Sequence, residues 1–249
     1  MEKPKPSSLY TNEDVSAWKT ALESYNDVLK LKASKESSKT KKDRDLVALD
    51  KWYQDELPKN LNSREKKYLN LEELCQLMKW KLTRGKFRPR LSDLVKANNE
   101  TTVEDTSRKA FGYLPDVSAA IRELSKLKAV GPATASAILS AGAPDLVPFM
   151  ADEAMMAIPD LGEISYHLPF YMSFVEKIKK VLQQLKKKDP EGDWTAHKVE
   201  LALWTEVMAR KYNFDLSQEP HVNGCENGVG GEKRKAEEAP KAKKRAKKK

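Results

Sequence analysis

Apolar residues recur at helical spacing along most of the chain. They are separated by steps of three and four within residues 15–29, 71–82, 170–185 and 201–208, which is the spacing that builds one face of an α-helix. No stretch of alternating β-branched residues that would indicate a strand is present. The pattern therefore predicts an all-α protein, with further helices over 46–52 (ending near Pro58), 91–98, 103–112, 132–141 and 151–158, and one that opens at Asp116.

Composition changes along the chain divide it into three parts. Residues 33–44 are charged and nearly free of apolar side chains, which is typical of a linker or a solvated helix end. After residue 215 the apolar pattern stops, and four of the ten glycines lie within 224–231. We therefore expect an N-terminal helix and charged linker (1–44), a helical domain (45–215) and a disordered tail (216–249). Whether the first helix packs on the domain or serves a partner stays open.

Charge is concentrated at the C-terminal end. The formal net charge is +9 over 249 residues, and residues 231–249, with ten Lys/Arg and three Glu, supply +7 of it. The remainder therefore carries only +2, so nucleic-acid affinity outside the tail requires a local positive patch. Only two cysteines are present, which excludes a disulfide framework or a four-cysteine metal site and favours a reducing compartment.

The sequence gives little support for a membrane protein, a metalloprotein or a protein that binds a nucleotide cofactor. No apolar run is long enough to span a membrane, so we expect no membrane partner. The three histidines lack metal-ligand spacing, and phosphate-loop and dinucleotide-binding motifs are missing, so neither a metal nor another cofactor is expected.

The stretch LKAVGPATA (127–135) joins two helical patterns through a glycine and a proline. Gly131 can adopt a positive φ and, lacking a Cβ, allows a ligand close to the backbone. Pro132 suits the first position of a helix, whose unpaired N–H groups attract phosphate oxygens, and Thr134 adds a hydroxyl donor. The alternative is a tight turn between two packed helices.

This stretch resembles the helix-hairpin-helix motif, whose pattern is hydrophobic-x-Gly-hydrophobic-Gly followed by an alanine. Leu127, Ala129, Val130, Gly131 and Ala135 fall on that pattern, although alanine stands at the first glycine. The family binds the DNA backbone without reading sequence. The resemblance implies a multi-helix orthogonal bundle of the helix-hairpin-helix glycosylase-like type over about residues 71–210. It also implies DNA contacts at Lys128, Ala129, Val130, Gly131, Ala133 and Thr134.

The resemblance extends to a candidate catalytic residue. In DNA glycosylases of this superfamily an aspartate follows the hairpin by roughly 20 residues, after an apolar V-P-V-like segment; here VPFMADEA places Asp152 19 residues beyond Ala133. A carboxylate there would stabilise an oxocarbenium-like state or orient a water molecule. Members of the superfamily that also have lyase activity use a lysine amine to form a Schiff base, and the position of that lysine corresponds to Ala133 here. The resemblance therefore implies at most a monofunctional, water-using glycosylase. The alternative is that Asp152 caps the following helix or occupies its first turn.

A basic segment, KWKLTRGKFRPR (79–90), contains no acidic residue. Its cations would neutralise phosphates, and its two aromatic residues, Trp80 and Phe87, either stack on bases or belong to the core. The expected phosphate contacts are Lys79, Lys81, Arg84, Lys86, Arg88 and Arg90.

The tail resembles a two-part nuclear localisation signal, which predicts a nuclear protein and an import receptor as partner. The residues concerned are Lys233, Arg234, Lys235, Lys243, Lys244, Arg245 and Lys247.

Together these features predict a nuclear protein that binds double-stranded DNA on a glycosylase-like scaffold. The alternatives are an active monofunctional DNA N-glycosylase that uses Asp152, and a chromatin-associated interaction module whose hairpin is only structural. A cavity beside Asp152 would favour the enzyme, and a filled core there would favour a binding module.

Overall fold

The computed structural model describes residues 9–36 and 45–217, and within these ranges it contains helices and no strands. The all-α prediction is therefore confirmed. The helices are α1 (Val15–Glu23), α2 (Tyr25–Glu36), α3 (Leu46–Lys51), α4 (Leu57–Ser63), α5 (Leu71–Arg84), α6 (Pro89–Lys96), α7 (Glu100–Tyr113), α8 (Val117–Leu124), α9 (Pro132–Gly142), α10 (Asp152–Met156), α11 (Leu168–Lys188) and α12 (Ala196–Tyr212).

Side-chain caps fix several helix starts where the sequence predicts them. Asn70 and Glu73 form a reciprocal capping box at the start of α5. The carboxylate of Asp116 accepts a hydrogen bond from the N–H of Ala119 at the start of α8. These caps satisfy backbone donors that the first turn of a helix leaves unpaired.

Two predicted helices have different bounds in the structure. The helix predicted from residue 15 is divided at Ser24 into α1 and α2. The predicted end near Pro58 is wrong, because α3 runs through a π-helical turn (Trp52–Glu56) directly into α4. Pro58 lies in the first turn of α4, where its missing N–H and fixed φ are well tolerated.

The N-terminal helices belong to the same hydrophobic core as the rest of the described chain. α1 and α2 both pack against α12. Trp18 of α1, Val28 of α2 and Trp204 of α12 are all at most 1% exposed. Leu216, one residue beyond the predicted end of the helical domain, also packs against this core. The rest of the predicted tail, with its localisation signal, and linker residues 37–44 lie outside the described residues.

Helix α9 is the central element that positions the candidate site. Its small residues are almost entirely buried, which allows neighbouring helices to approach closely. The Tyr53 hydroxyl donates a hydrogen bond of 2.8 Å to the Ala137 carbonyl. The Ser136 hydroxyl accepts one of 3.0 Å from the N–H of Met150 and so ties the segment before α10 to α9. The segment that leads into Asp152 is thereby fixed against the helix that follows the hairpin.

Candidate nucleic-acid interface

The turn between α8 and α9 places its one positive φ at an alanine instead of at its glycine. Gly131 is the N-cap of α9 with φ −103° and ψ −174°, an extended conformation that any residue can adopt. Gly131 therefore does not use the positive φ that is open to glycine. The positive φ of this turn occurs at Ala129, where φ is +63°, in the left-handed region that disfavours a side chain with a Cβ. Ala129 stands at the first glycine position of the pattern, so the chain keeps the turn while carrying a strained alanine.

Replacing this alanine tests the strain directly. We expect Ala129→Gly to raise the free energy of unfolding by about 1 kcal/mol, because relief of the left-handed alanine exceeds the added entropy of the unfolded chain. Chemical denaturation monitored by circular dichroism measures the change. Ala133→Gly, which places glycine in the first turn of α9 at a position without positive φ, is the control and should not stabilise the protein. A loss of stability in the first variant would contradict the interpretation.

Gly131 matters for access rather than for backbone conformation. A Cβ built at this position has nothing within 4 Å, so the glycine faces open space. No side chain caps α9, and among the described residues the N–H groups of Gly131 and Ala133 have no acceptor. These donors and the positive end of the helix dipole can receive an anionic oxygen.

A cavity of about 470 Å³ lies in front of this turn. Four parts of the chain meet there: the end of α5 with the segment after it, the hairpin, the start of α10, and the loop before α11. Its lining includes Lys81, Lys86, Arg88, Gly131, Asp152 and Tyr166. The structure thus brings the hairpin, the basic segment and the candidate aspartate around a single cavity.

The predicted contact residues divide into two groups. Those that line the cavity are Lys81, Arg84, Lys86, Arg88, Ala129, Val130, Gly131, Ala133 and Thr134. Lys79 and Arg90 are exposed but do not line it. Lys128 does not line it either, because its ammonium group donates to the Ala97 carbonyl at 3.0 Å and so binds the loop after α6.

Arg84 requires a correction, since it was predicted to contact phosphate. Its side chain is only 2% exposed, and its guanidinium donates to the fully buried carboxylate of Glu200 at 3.4 Å. The guanidinium carbon also lies 4.4 Å from the centre of the Trp204 ring. Arg84 borders the cavity but directs its charge into the core, so it cannot serve as an exposed phosphate contact.

The two aromatic residues of the basic segment have opposite environments. Trp80 is fully buried, stacks on Tyr53 with ring centres 3.5 Å apart, and donates its N–H to Asp50. Phe87 is 50% exposed between Lys86 and Arg88. Trp80 therefore belongs to the core, and only Phe87 is accessible for stacking on a base.

Asp152 is the first residue of α10, but it does not cap that helix. Ala151 occupies the N-cap position. The Asp152 carboxylate accepts the Tyr166 hydroxyl at 2.7 and 2.9 Å and lies 3.2 Å from the Lys86 ammonium. The side chain of Asp152 is 20% exposed, which leaves it accessible from the cavity. Its hydrogen bonding thus orients the carboxylate toward cavity groups instead of toward its own helix.

Tyr166 is a site residue whose contact with Asp152 is visible only in the structure. Its ring lines the cavity, and its hydroxyl donates a hydrogen bond to Asp152. The Arg88 guanidinium lies 5.5 Å from the centre of its ring. Burial, together with the bond to Asp152, raises the pKa of Tyr166 to about 12, so the hydroxyl remains a donor at neutral pH.

Lys81 was predicted from the sequence as a phosphate contact, but its partial burial was not predicted. It lies on α5, is half-buried and lines the cavity. Burial, with the nearby positive charge of Arg88, lowers the pKa of Lys81 to about 8, while Asp152 acts in the opposite direction. The residue types of the basic segment do not distinguish Lys81 from its exposed neighbours, because its burial depends on which elements pack against α5.

The chain was compared with known protein families, curated proteins and solved structures. No protein-family model, no curated protein and no solved structure matches the chain.

The described residues also contain no group of three or more metal-ligating side chains. None of the helices in this part of the chain is long and apolar enough to cross a membrane.

Proposed function

We propose that this chain is a nuclear DNA-binding protein that holds the backbone of duplex DNA at the α8–α9 hairpin. It would do so on a scaffold of the helix-hairpin-helix glycosylase-like type. The observation that supports this most strongly is the convergence of the hairpin, the cations of the basic segment and Asp152 around one cavity. In a chain whose charge outside the tail is nearly balanced, such a convergence is a local positive patch at an uncapped helix start.

Phosphate is the ligand that the rim of this cavity suits. The free N–H groups at Gly131 and Ala133 supply neutral donors, and Lys86 and Arg88 supply exposed charge. Neither feature reads a base, so the binding would be independent of sequence.

The cavity has the size of a small-molecule site. Its volume of about 470 Å³ falls within the range of about 300–1,000 Å³ typical of such sites. A nucleotide turned out of the helical stack would enter it with its phosphates on the hairpin, which is how enzymes reach atoms hidden in a duplex. The Phe87 ring, which is 50% exposed between Lys86 and Arg88, would stack on a neighbouring base.

Binding of a fluorescent duplex, measured by anisotropy at two salt concentrations, tests the proposal. Residues 1–217 retain the whole described core, so they separate the folded body from the tail. We expect residues 1–217 to bind with an affinity that falls as salt rises. Complete loss of binding on removing 218–249 would support the chromatin-associated alternative, in which the hairpin is structural and the tail alone holds DNA.

The second candidate function is hydrolysis of an N-glycosidic bond. It is favoured by the open cavity beside Asp152, where a filled core would have argued against it. A carboxylate held by Tyr166 and Lys86 is positioned to stabilise developing positive charge on a deoxyribose or to orient a water molecule.

Asp152→Asn separates this enzyme from a binding protein. With a panel of duplexes that each carry one modified base, we expect the wild-type chain to release at least one base. The variant should do so about 100-fold more slowly under single-turnover conditions, because the charge-stabilising carboxylate is lost. Glu153→Gln, which changes the neighbouring carboxylate, is the control and should keep most of the rate. Absence of base release across the panel would leave the binding function alone.

The nuclear location rests on the basic tail, whose localisation residues lie outside the described part of the chain. A fluorescent fusion of the full chain should accumulate in nuclei. Changing Lys243, Lys244 and Arg245 together to alanine should disperse it.

A further inference from the structure

Two cations that line the cavity have no anionic partner. Lys81 lies half-buried on α5, and Arg88 lies in the exposed segment after that helix. Within residues 9–36 and 45–217, neither side chain makes a hydrogen bond or an ion pair, whereas the neighbouring Lys86 lies 3.2 Å from Asp152. The Arg88 guanidinium lies 5.5 Å from the centre of the Tyr166 ring. The cavity therefore contains two positive charges that are available to an anionic ligand.

These two charges differ in their exposure to water. Arg88 is exposed, whereas Lys81 is half-buried, and its burial, with the positive charge of Arg88, lowers its pKa to about 8. A buried ammonium without a counter-ion is unfavourable, because it has lost water and gained no partner. The cavity wall around Lys81 therefore favours an anionic group that extends inward past the rim.

The covalent structure of DNA limits which anionic group can reach Lys81. Internal phosphates lie on the outer surface of a duplex, and each is joined to a nucleotide on both sides, so they suit the rim and the hairpin. A base turned out into the cavity is uncharged and would leave the ammonium without a counter-ion. A phosphate at a strand end is joined on one side only and carries about two negative charges at neutral pH. It can enter the cavity while the rest of the strand stays at the rim.

We propose that the cavity binds the terminal phosphate monoester of a DNA strand, with Lys81 on the cavity wall and Arg88 at the rim as its charged ligands. This rests on the proposed function, because the free N–H groups at Gly131 and Ala133 would hold the adjoining backbone. The protein would then select phosphorylated strand ends over continuous duplex. Contacts to internal phosphates alone give no such selection.

Ionisation of Lys81 gives this site a pH dependence. The ammonium is present below its pKa of about 8 and is lost as the pH rises through that value, so affinity for the phosphate falls above pH 8. The monoester, whose second pKa is about 6, stays dianionic there. The charges that act on Lys81 are those of Arg88 and Asp152; of the helices packed against α5, α9 has no ionisable side chain, and no charged group of α3, α6 or α7 among the described residues acts on it. The other ionisable residues of the lining are Arg84, Lys86, Glu153 and Tyr166.

Binding of the full-length chain to a set of fluorescent DNA probes tests the proposal. Stem-loops of one sequence carry at their open end a 5′-phosphate, a 3′-phosphate or only hydroxyl groups, and a closed dumbbell of the same duplex has no end. At pH 7 we expect one phosphorylated stem-loop to bind at least about tenfold more tightly than the hydroxyl form, because charge-assisted hydrogen bonds form only with the phosphate. Raising the pH to about 9.5 should reduce this ratio about fivefold.

Three variants assign the effect to Lys81. Lys81→Gln removes the charge and should bring the two affinities within about twofold of each other. Lys81→Arg carries a charge that does not titrate in this range, so it should keep the preference but lose the pH dependence. Lys79→Gln is the matched control, because Lys79 is exposed on the same helix and does not line the cavity; it should keep both. Unchanged denaturation midpoints show that the variants are folded.

The dumbbell distinguishes failure of this inference from failure of the binding function, because it offers internal phosphates alone. Equal affinity for phosphorylated and hydroxyl ends, with the dumbbell still bound, would overturn the inference and leave the binding function intact. A preference that persists in Lys81→Gln, or that does not change with pH in the wild-type chain, would overturn it as well. Absence of binding to every probe would overturn both.

Discussion

Duplex binding by residues 1–217 is expected to weaken by about 30-fold or more in the Gly131→Glu variant, because a carboxylate at this position would face the phosphate that the hairpin binds. Gly131 has an extended backbone, and its added Cβ would enter open space, so the substitution should leave the fold intact. The effect therefore reports on ligand access rather than on stability. Anisotropy titration at low salt measures it, and an unchanged denaturation midpoint confirms that the variant is folded.

The chain contains a matched control for this substitution. Gly112 in α7 is also exposed, an added Cβ there also meets nothing within 4 Å, and it does not line the cavity. Gly112→Glu introduces the same charge at another exposed glycine and should leave the affinity within about twofold of the wild type, apart from a small long-range effect. Equal weakening by both variants would show that net charge, not the hairpin, controls binding.

Glu200→Gln is expected to lower the free energy of unfolding by about 3 kcal/mol, because it leaves the Arg84 guanidinium buried without its ion-pair partner. Glu200 is fully buried, and Arg84 is 2% exposed. The cost of an uncompensated charge in this environment exceeds the net value of the intact pair. Denaturant unfolding monitored by tryptophan fluorescence measures the loss.

Two further variants make this prediction specific to the buried pair. Glu176→Gln removes an exposed carboxylate on α11 and should change stability by no more than about 0.5 kcal/mol. An Arg84→Met/Glu200→Leu double variant replaces the pair by apolar groups and should recover most of the lost stability. A loss below about 1 kcal/mol in Glu200→Gln would mean that Asp50 or the surrounding rings already compensate Arg84. Since Arg84 follows Lys81 by one helical turn, the pair also anchors the cavity wall of α5 against α12.

Helical periodicity and caps were sufficient to predict the all-α class and the positions of most helices. The start of α5 at Asn70 and of α8 at Asp116 depends on local hydrogen bonds whose residue types are visible in the sequence. The path of the chain through Pro58 was not predictable in this way. The π-helical turn before it is stabilised by burial of Trp52 and Tyr53, which is a tertiary effect.

The candidate site was predictable in its parts but not in its arrangement. The hairpin and Asp152 follow from motif and spacing. The different environments of Lys81, Arg84 and Lys86 follow only from which face of α5 is covered. Within one run of basic residues, one side chain points into the core, one lies on the cavity wall and one is exposed at the rim. Charge patterns along a sequence cannot separate these cases, because the covering elements lie far away in the chain.

Hydrogen–deuterium exchange of the full-length chain, with and without a duplex containing the tetrahydrofuran abasic analogue, tests most directly whether DNA sits on the hairpin and cavity. The free amides at Gly131 and Ala133 should exchange quickly in the unbound protein, since they have no acceptor among the described residues. We predict that DNA protects residues 131–134 together with the segment 85–90, and leaves α7 around Gly112 unchanged. Protection confined to the C-terminal tail, with the hairpin unaffected, would contradict the account.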